Sequence, residues 1–157
     1  MEYNLFDKDF FPTPKEVIEQ MMSFSDVKGK IVLEPSAGSG NIIEWLKLHG
    51  SKNVLACENN KKLASMISSK CDLIAEDFLT LNSDQISHID MIVMNPPFSA
   101  SEKHILHAYE IAPGGCEIIS LCNSSTLSNS YSKEREKINE LVNLYGSDEY
   151  LGSVFET

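Results

Sequence analysis

The feature that most constrains this chain is a series of short, unbroken apolar runs separated by helical patterns. Residues 30–34, 53–58, 72–75, 90–94 and 117–122 are each dominated by Val, Ile, Leu, Met and Ala. Runs that do not alternate apolar with polar suit parallel strands covered on both faces. Residues 150–155 form a weaker sixth strand candidate. Between the runs lie helical patterns. Residues 14–23 are predicted to be helical, with Thr13 as N-cap and Pro14 at the first helical position. A second helix spans 41–49 and stops at Gly50. A third spans 60–69, capped by Asn59 or Asn60. The fourth, 101–111, is halted by Pro113-Gly114-Gly115, and the last, 132–145, ends at Gly146. Strand and helix alternate, which predicts an α/β fold: a Rossmann-like, doubly wound, mostly parallel sheet with helices on both faces.

At 157 residues the chain fits a single domain, 1–157. Its 42% hydrophobic content is enough for a real core, and 23% charged residues is not the composition of a disordered chain. No apolar run reaches the length of a membrane span, and the N-terminus lacks the basic and apolar regions of a signal peptide. The expectation is a cytoplasmic protein with no membrane partner. Cys57, Cys71, Cys116 and Cys122 form no Cys-x-x-Cys pair and read as buried, reduced thiols. His104 and His107 share a helix face at a metal-ligand spacing, but no third ligand accompanies them. A surface helix face is expected there, and no metal.

The net charge is −10. Nucleic-acid binding draws most of its affinity from neutralised phosphates, so an acidic chain must gather its few cations locally or borrow basic surface. No basic, aromatic-rich segment stands out as a separate target-recognition domain. Residues 123–133 read as a polar loop after the fifth strand, at the rim of any site there. Tyr131, Lys133 and Arg135 are the basic and aromatic groups near it.

The chemistry-bearing residues follow the strands. Glu34-Pro35-Ser36-Ala37-Gly38-Ser39-Gly40-Asn41 links the first strand to a helix, at the sheet edge where ligands bind in such folds. Gly38 and Gly40 let the backbone turn tightly and approach a ligand closely. Glu58 ends the second strand and can accept hydrogen bonds from both hydroxyls of a ribose; Asn59 follows it. Asp77 and Phe78 follow the third strand; an Asp there can accept from an adenine amino group while the ring stacks on the base, or the pair can be a helix cap and a core residue. Asn95-Pro96-Pro97-Phe98 ends the fourth strand. An exocyclic amine on an aromatic ring is a poor nucleophile, because its lone pair is delocalised. The Asn95 side-chain oxygen and the Pro96 carbonyl can each accept one of its N–H bonds, favouring a pyramidal nitrogen and stabilising the positive charge that develops on it. The prolines fix φ and so hold these acceptors, and Phe98 can stack on an extruded base.

Taken together, residues 31–98 resemble the class I S-adenosylmethionine-dependent methyltransferases, specifically the amino-methyltransferases of nucleic acids. The resemblance implies S-adenosyl-L-methionine as cofactor. Glu34 with Pro35, Ala37, Gly38, Gly40 and Asn41 would hold its methionine portion, Glu58 and Asn59 its ribose, and Asp77 and Phe78 its adenine. Phe11-Pro12-Thr13-Pro14 resembles the segment that closes over the methionine carboxylate in adenine methyltransferases, so residues 1–25 are expected to be a cofactor-closing segment and helix. Asn95, Pro96, Pro97 and Phe98 would be catalytic, with Asn95 also lining the cofactor site. Adenine N6 in DNA is the first expected substrate, as in restriction-modification systems. Adenine N6 or guanine N2 in RNA and a protein glutamine amide are alternatives. The sheet of that family has a seventh, antiparallel strand, which has no counterpart here. The chain is therefore also read as a possible non-catalytic or incomplete part of a larger enzyme, with a separate recognition subunit or a further C-terminal segment.

Overall fold

The computed structural model describes residues 11–128 and 132–152. One sheet is formed by β1 Ile31–Glu34, β2 Asn53–Cys57, β3 Asp72–Ala75, β4 Met91–Met94 and β5 Glu117–Ser120. Its order is β3-β2-β1-β4-β5, and every described pairing is parallel. The helices are α1 Lys15–Met21, α2 Asn41–Leu48, α3 Lys61–Ile67, α4 Ser101–Ile111, α5 Ser124–Ser128 and α6 Lys133–Tyr145.

The doubly wound sheet expected from the unbroken apolar runs is what forms, and the burial pattern shows why. Val32 and Leu33, Val54 and Leu55, and Ile92 and Val93 point to opposite faces, and all are buried. Val32, Val54 and Val93 join Ile18 of α1 and Ile43 and Leu46 of α2 in one core. Leu33, Leu55 and Ile92 join Phe78 and Ala108 of α4 in the other. Fully burying each such side chain contributes about 1.5–3 kcal/mol, so a polar residue on either face of a central strand would be costly.

The strand order reverses between β1 and β4. Loops leaving these two strands diverge, and a crevice opens at their carboxyl ends. The register that sets Leu33 opposite Ile92 brings the Glu34 loop and Asn95 to the same edge. Site and switch point therefore coincide.

Several expectations need correction. The cap of α1 is Pro14, not Thr13, and it makes no side-chain cap bond. The Thr13 side chain is engaged elsewhere. Of the two candidates for the α3 cap, Asn60 takes the role, its side chain accepting from Lys62 N and Leu63 N. The polar stretch 123–133 is not all loop: Ser124–Ser128 forms α5, with Thr126 fully buried. Ser132 caps α6 through Arg135 N. Residues 150–152 are not in a strand; the rest of the sixth strand candidate, Tyr131 and residues 1–10 of the closing segment lie outside the described residues. Cys57 is buried as expected, whereas Cys71, Cys116 and Cys122 are only half-buried; all four thiols are free. No helix among the described residues is long and apolar enough to cross a membrane.

Candidate active site

The crevice is a cleft of about 320 Å³. The cofactor and catalytic candidates read from the sequence line it, except Gly40. A second hollow of about 380 Å³ is lined by Glu16, Glu19, Gln20, Ser23, Phe24 and Glu149. These side chains are all exposed, and three of them are like-charged carboxylates, so that hollow assembles no chemistry.

The β1–α2 loop forms one wall. Its shape depends on two glycines in the left-handed region, Gly38 at φ 57° and Gly40 at φ 94°. At Gly40 a Cβ would stand 2.9 Å from Ile67 Cγ2, so the loop also packs too closely on α3 for a side chain. Gly38 N donates to Glu58 Oε1 at 2.8 Å, and Asn60 N donates to Glu58 Oε2 at 2.7 Å. Glu58 thus shapes the loop while lining the cleft.

Glu34 is fully buried at the base of the cleft. Its Oε1 accepts from Ser36 N at 3.0 Å, and its Oε2 has no partner among the described residues. Burial, aided by the charge of Glu58, pushes its pKa up to about 8, against the opposing bond from Ser36. A buried carboxylate oxygen lacking a donor is costly, and Oε2 suits a cationic N–H donor in the cleft.

Asn95 ends β4. Its Nδ2 donates to Phe11 O at 3.2 Å and to Thr13 Oγ1 at 3.1 Å. Its Oδ1 is buried, with no partner among the described residues. Phe11 O is a carbonyl and can only accept, so the orientation of the amide follows from its partners. The Phe98 ring meets the Phe11 ring at 4.9 Å, tilted by 39°. Asn41 Nδ2, at the start of α2, donates to Thr13 O at 3.0 Å. Residues 11–13 therefore span the cleft between the two loops.

The far end differs from expectation. Asp77 caps a short 3-10 turn, Phe78–Thr80, through Leu79 N. Phe78 lines the cleft, yet its ring is 1% exposed, tilted against His104 at 5.7 Å and edge-on to His107 at 5.0 Å. The cap-and-core role of this pair is thus present, and the ring has no open face for a base. The two histidines are not a surface face either. His104 is buried and lines the cleft, and its Nδ1 donates to Ala100 O at 3.0 Å. His107 Nε2 bonds Leu81 O at 2.9 Å. Burial lowers the pKa of His104 below its ordinary value. Its place was visible in the stripe Ser101, His104, Ala108 and Ile111, whose helical spacing marks the buried face of α4. Among the described residues no group of three metal-ligating side chains occurs.

Arg135, expected near the rim, is paired: its Nε donates to Glu102 Oε1 at 3.0 Å. Together with the half-buried bond of Ser101 to Glu102 this ties α6 to the start of α4, and it removes one cation from any phosphate-binding role.

No protein-family model matches the chain. Over 96 residues it is 30% identical to the ribosomal RNA small subunit methyltransferase A of Pelagibacter ubique, a match covering 58% of this chain and 37% of that protein. Over 114 residues it is 30% identical to the modification methylase CviBIII of Paramecium bursaria Chlorella virus NC1A, covering 66% of this chain and 29% of that one. The chain thus spans about a third of the length of these curated relatives. Its backbone is similar to that of a candidate RNA methyltransferase from Pyrococcus horikoshii, with a TM-score of 0.62 and 22% identity over 86% of this chain and 67% of that one. It is also similar to an RNA methyltransferase from Salinibacter ruber solved with S-adenosyl-L-homocysteine, with a TM-score of 0.52 and 17% identity over 62% and 69%. The described chain, with its parallel β3-β2-β1-β4-β5 sheet and its cleft at the β1/β4 switch point, has the class I methyltransferase fold.

Proposed function

We propose that this chain is the catalytic domain of an S-adenosylmethionine-dependent N-methyltransferase that modifies an exocyclic amine of a nucleic-acid base, with adenine N6 in DNA as the first substrate. The observation that carries this reading is the buried, unpartnered Oδ1 of Asn95, held facing away from the two acceptors that fix its amide. A buried acceptor without a donor is costly. An incoming amine supplies that donor.

S-adenosylmethionine, when bound, supplies an electrophilic methyl group on a positively charged sulfur. Glu34 Oε2 fits its ammonium group, since that oxygen is buried and lacks a donor. Glu58, at the next strand end, fits the ribose hydroxyls, and Asp77 the adenine amino group. Pro35, Ala37 and Asn59 line the cleft between these points, and Pro12 lies with Phe11 and Thr13 across it.

Asn95 Oδ1 and the Pro96 carbonyl accept the two N–H bonds of the substrate amine. Its lone pair is thereby directed out of the ring plane, toward the methyl carbon. As the N–C bond forms and the S–C bond breaks, the electron pair of the latter goes to sulfur, and Asn95 Oδ1 stabilises the positive charge growing on nitrogen. The extra proton then leaves to solvent. Alignment supplies most of the rate, so no basic side chain with a shifted pKa is needed. Pro97 holds the turn, and Phe98 offers a ring to the base.

The modification methylase among the relatives supports DNA, as does Phe11-Pro12-Thr13-Pro14 in combination with Asn95-Pro96-Pro97-Phe98. The ribosomal RNA methyltransferase among them supports RNA as the second reading. With a net charge of −10, further basic surface from a recognition subunit or another segment would strengthen either complex. The test is transfer of tritiated methyl to DNA, to ribosomal RNA and to a glutamine-containing protein. Label on DNA that is released as N6-methyladenine is the expected result. Label on RNA alone replaces the substrate; label on none, despite measurable cofactor binding, favours a non-catalytic subunit.

A further inference from the structure

We infer that Thr13 is a positioning residue that holds the Asn95 amide in the orientation the Phe11 carbonyl imposes, and that Asn41 holds Thr13 in place to do so. This rests on the reading of Asn95 as the group that holds the amine. The two ends of a carboxamide have nearly the same shape, and only their partners distinguish them. Here both N–H bonds of Asn95 are taken, one by Phe11 O and one by Thr13 Oγ1. The flipped amide would set Oδ1 against the Phe11 carbonyl, acceptor against acceptor. It would also present N–H bonds to an amine that is itself a donor. Productive geometry therefore depends on residues 11–13 lying across the cleft.

What keeps them there is visible on the opposite wall. Asn41 Nδ2 donates to Thr13 O from the first residue of α2, immediately after the Gly38–Gly40 turn. Thr13 is 5% exposed, so its hydroxyl meets Asn95 with little competition from water. The contacts run from the β1–α2 loop through one buried threonine to the end of β4. Asn95 orientation is coupled in this way to the loop expected to carry the methionine portion of the cofactor. The hydroxyl oxygen of Thr13 thus serves Asn95 rather than capping α1.

Thr13→Val keeps the shape and removes the acceptor; Thr13→Ser keeps the acceptor. With transfer active, Thr13→Val is expected to lower kcat roughly 10- to 100-fold, the effect of one or two lost hydrogen-bond energies. The KM for cofactor and the Kd for S-adenosylhomocysteine should stay within about threefold. Thr13→Ser should restore kcat to within about threefold of wild type. Unchanged kcat in Thr13→Val, equal loss in Thr13→Ser, or a matching loss of S-adenosylhomocysteine affinity would each overturn the assignment. A second readout does not depend on turnover. In NMR spectra of wild type, the Asn95 side-chain NH₂ pair, assigned by its disappearance in Asn95→Asp, should be protected from hydrogen exchange. Exchange at the free-amide rate in wild type overturns the assignment even if Thr13→Val does not fold. A protected pair without transfer to any acceptor leaves the positioning intact and counts against the transfer reading alone.

Discussion

Glu34 and Glu58 stand at the ends of neighbouring parallel strands, yet their carboxylates are held in opposite ways. Glu58 accepts two backbone N–H bonds at 2.8 and 2.7 Å, whereas Glu34 is fully buried with Oε2 unpartnered among the described residues. The first is held by hydrogen bonds on both oxygens. The second is disfavoured as an anion, and its pKa rises to about 8. The site thus pairs a hydrogen-bonded acceptor with an acid that a cation would ionise.

Cofactor binding should therefore release a proton. Near pH 7 the Glu34 carboxyl of the free chain is mostly protonated, and the ammonium and sulfonium charges of S-adenosylmethionine favour its ionised form. Calorimetry in two buffers of different ionisation enthalpy should detect release of close to one proton at pH 7, falling toward zero above pH 9. Affinity should rise with pH up to about 8 and then level off. Binding without proton release at pH 7 would contradict this placement of Glu34.

The same shift acts on stability, with a definite sign. The folded pKa of Glu34 lies above its unfolded value of 4.5, so the folded chain holds that proton more tightly. The resulting stability is full below pH 4.5 and is lost as pH rises through about 8. Glu34→Gln removes this dependence. The cofactor-free variant should melt several degrees above wild type at pH 8.5, with a much smaller difference at pH 4.5, in a thermal-shift series. It should also bind S-adenosylmethionine at least ~10-fold more weakly, because a charge-assisted bond is lost.

Glu58→Ala should cost cofactor affinity twice over, through the lost ribose acceptor and through a loosened Gly38 turn. A decrease of at least ~10-fold in affinity for S-adenosylhomocysteine is expected by calorimetry, about the worth of one hydrogen bond to a charged group. An unchanged dissociation constant would remove Glu58 from the site.

Gly40→Ala tests the loop without touching a polar group. Alanine at φ 94° is strained, and its Cβ would meet the buried Ile67 side chain at 2.9 Å. A loss of about 2 kcal/mol follows, or roughly 4–8 °C in Tm for a chain of this size. A variant as stable as wild type would show that the loop relaxes freely.

The sheet and both of its cores were legible because burial on two faces leaves apolar runs that few other folds need. Asn95, Glu34 and Glu58 were legible because each follows such a run and carries a polar group to the same edge. What escaped were features set by tertiary contacts. Thr13 reads as a helix cap in any local window; only the return of β4 brings Asn95 to its hydroxyl. Phe78 reads either as a base-stacking ring or as a core residue, and only the packing of His104 and His107 against it shows the core role. The short α5 has no strong periodicity, and its buried Thr126 is polar, so Ser124–Ser128 passes for a rim loop.

The most direct test is Asn95→Ala in two assays at once, tritiated-methyl transfer to adenine-containing DNA and RNA and calorimetric binding of S-adenosylhomocysteine. The substitution removes the acceptor for the amine and leaves Glu34, Glu58 and the glycine turn in place. Transfer should fall by ~10²–10³-fold, the scale seen when a group stabilising transition-state charge is removed, while the dissociation constant stays within about threefold. Transfer at the wild-type rate, or equal losses of transfer and binding, would contradict the assignment of Asn95 as the group that holds the amine.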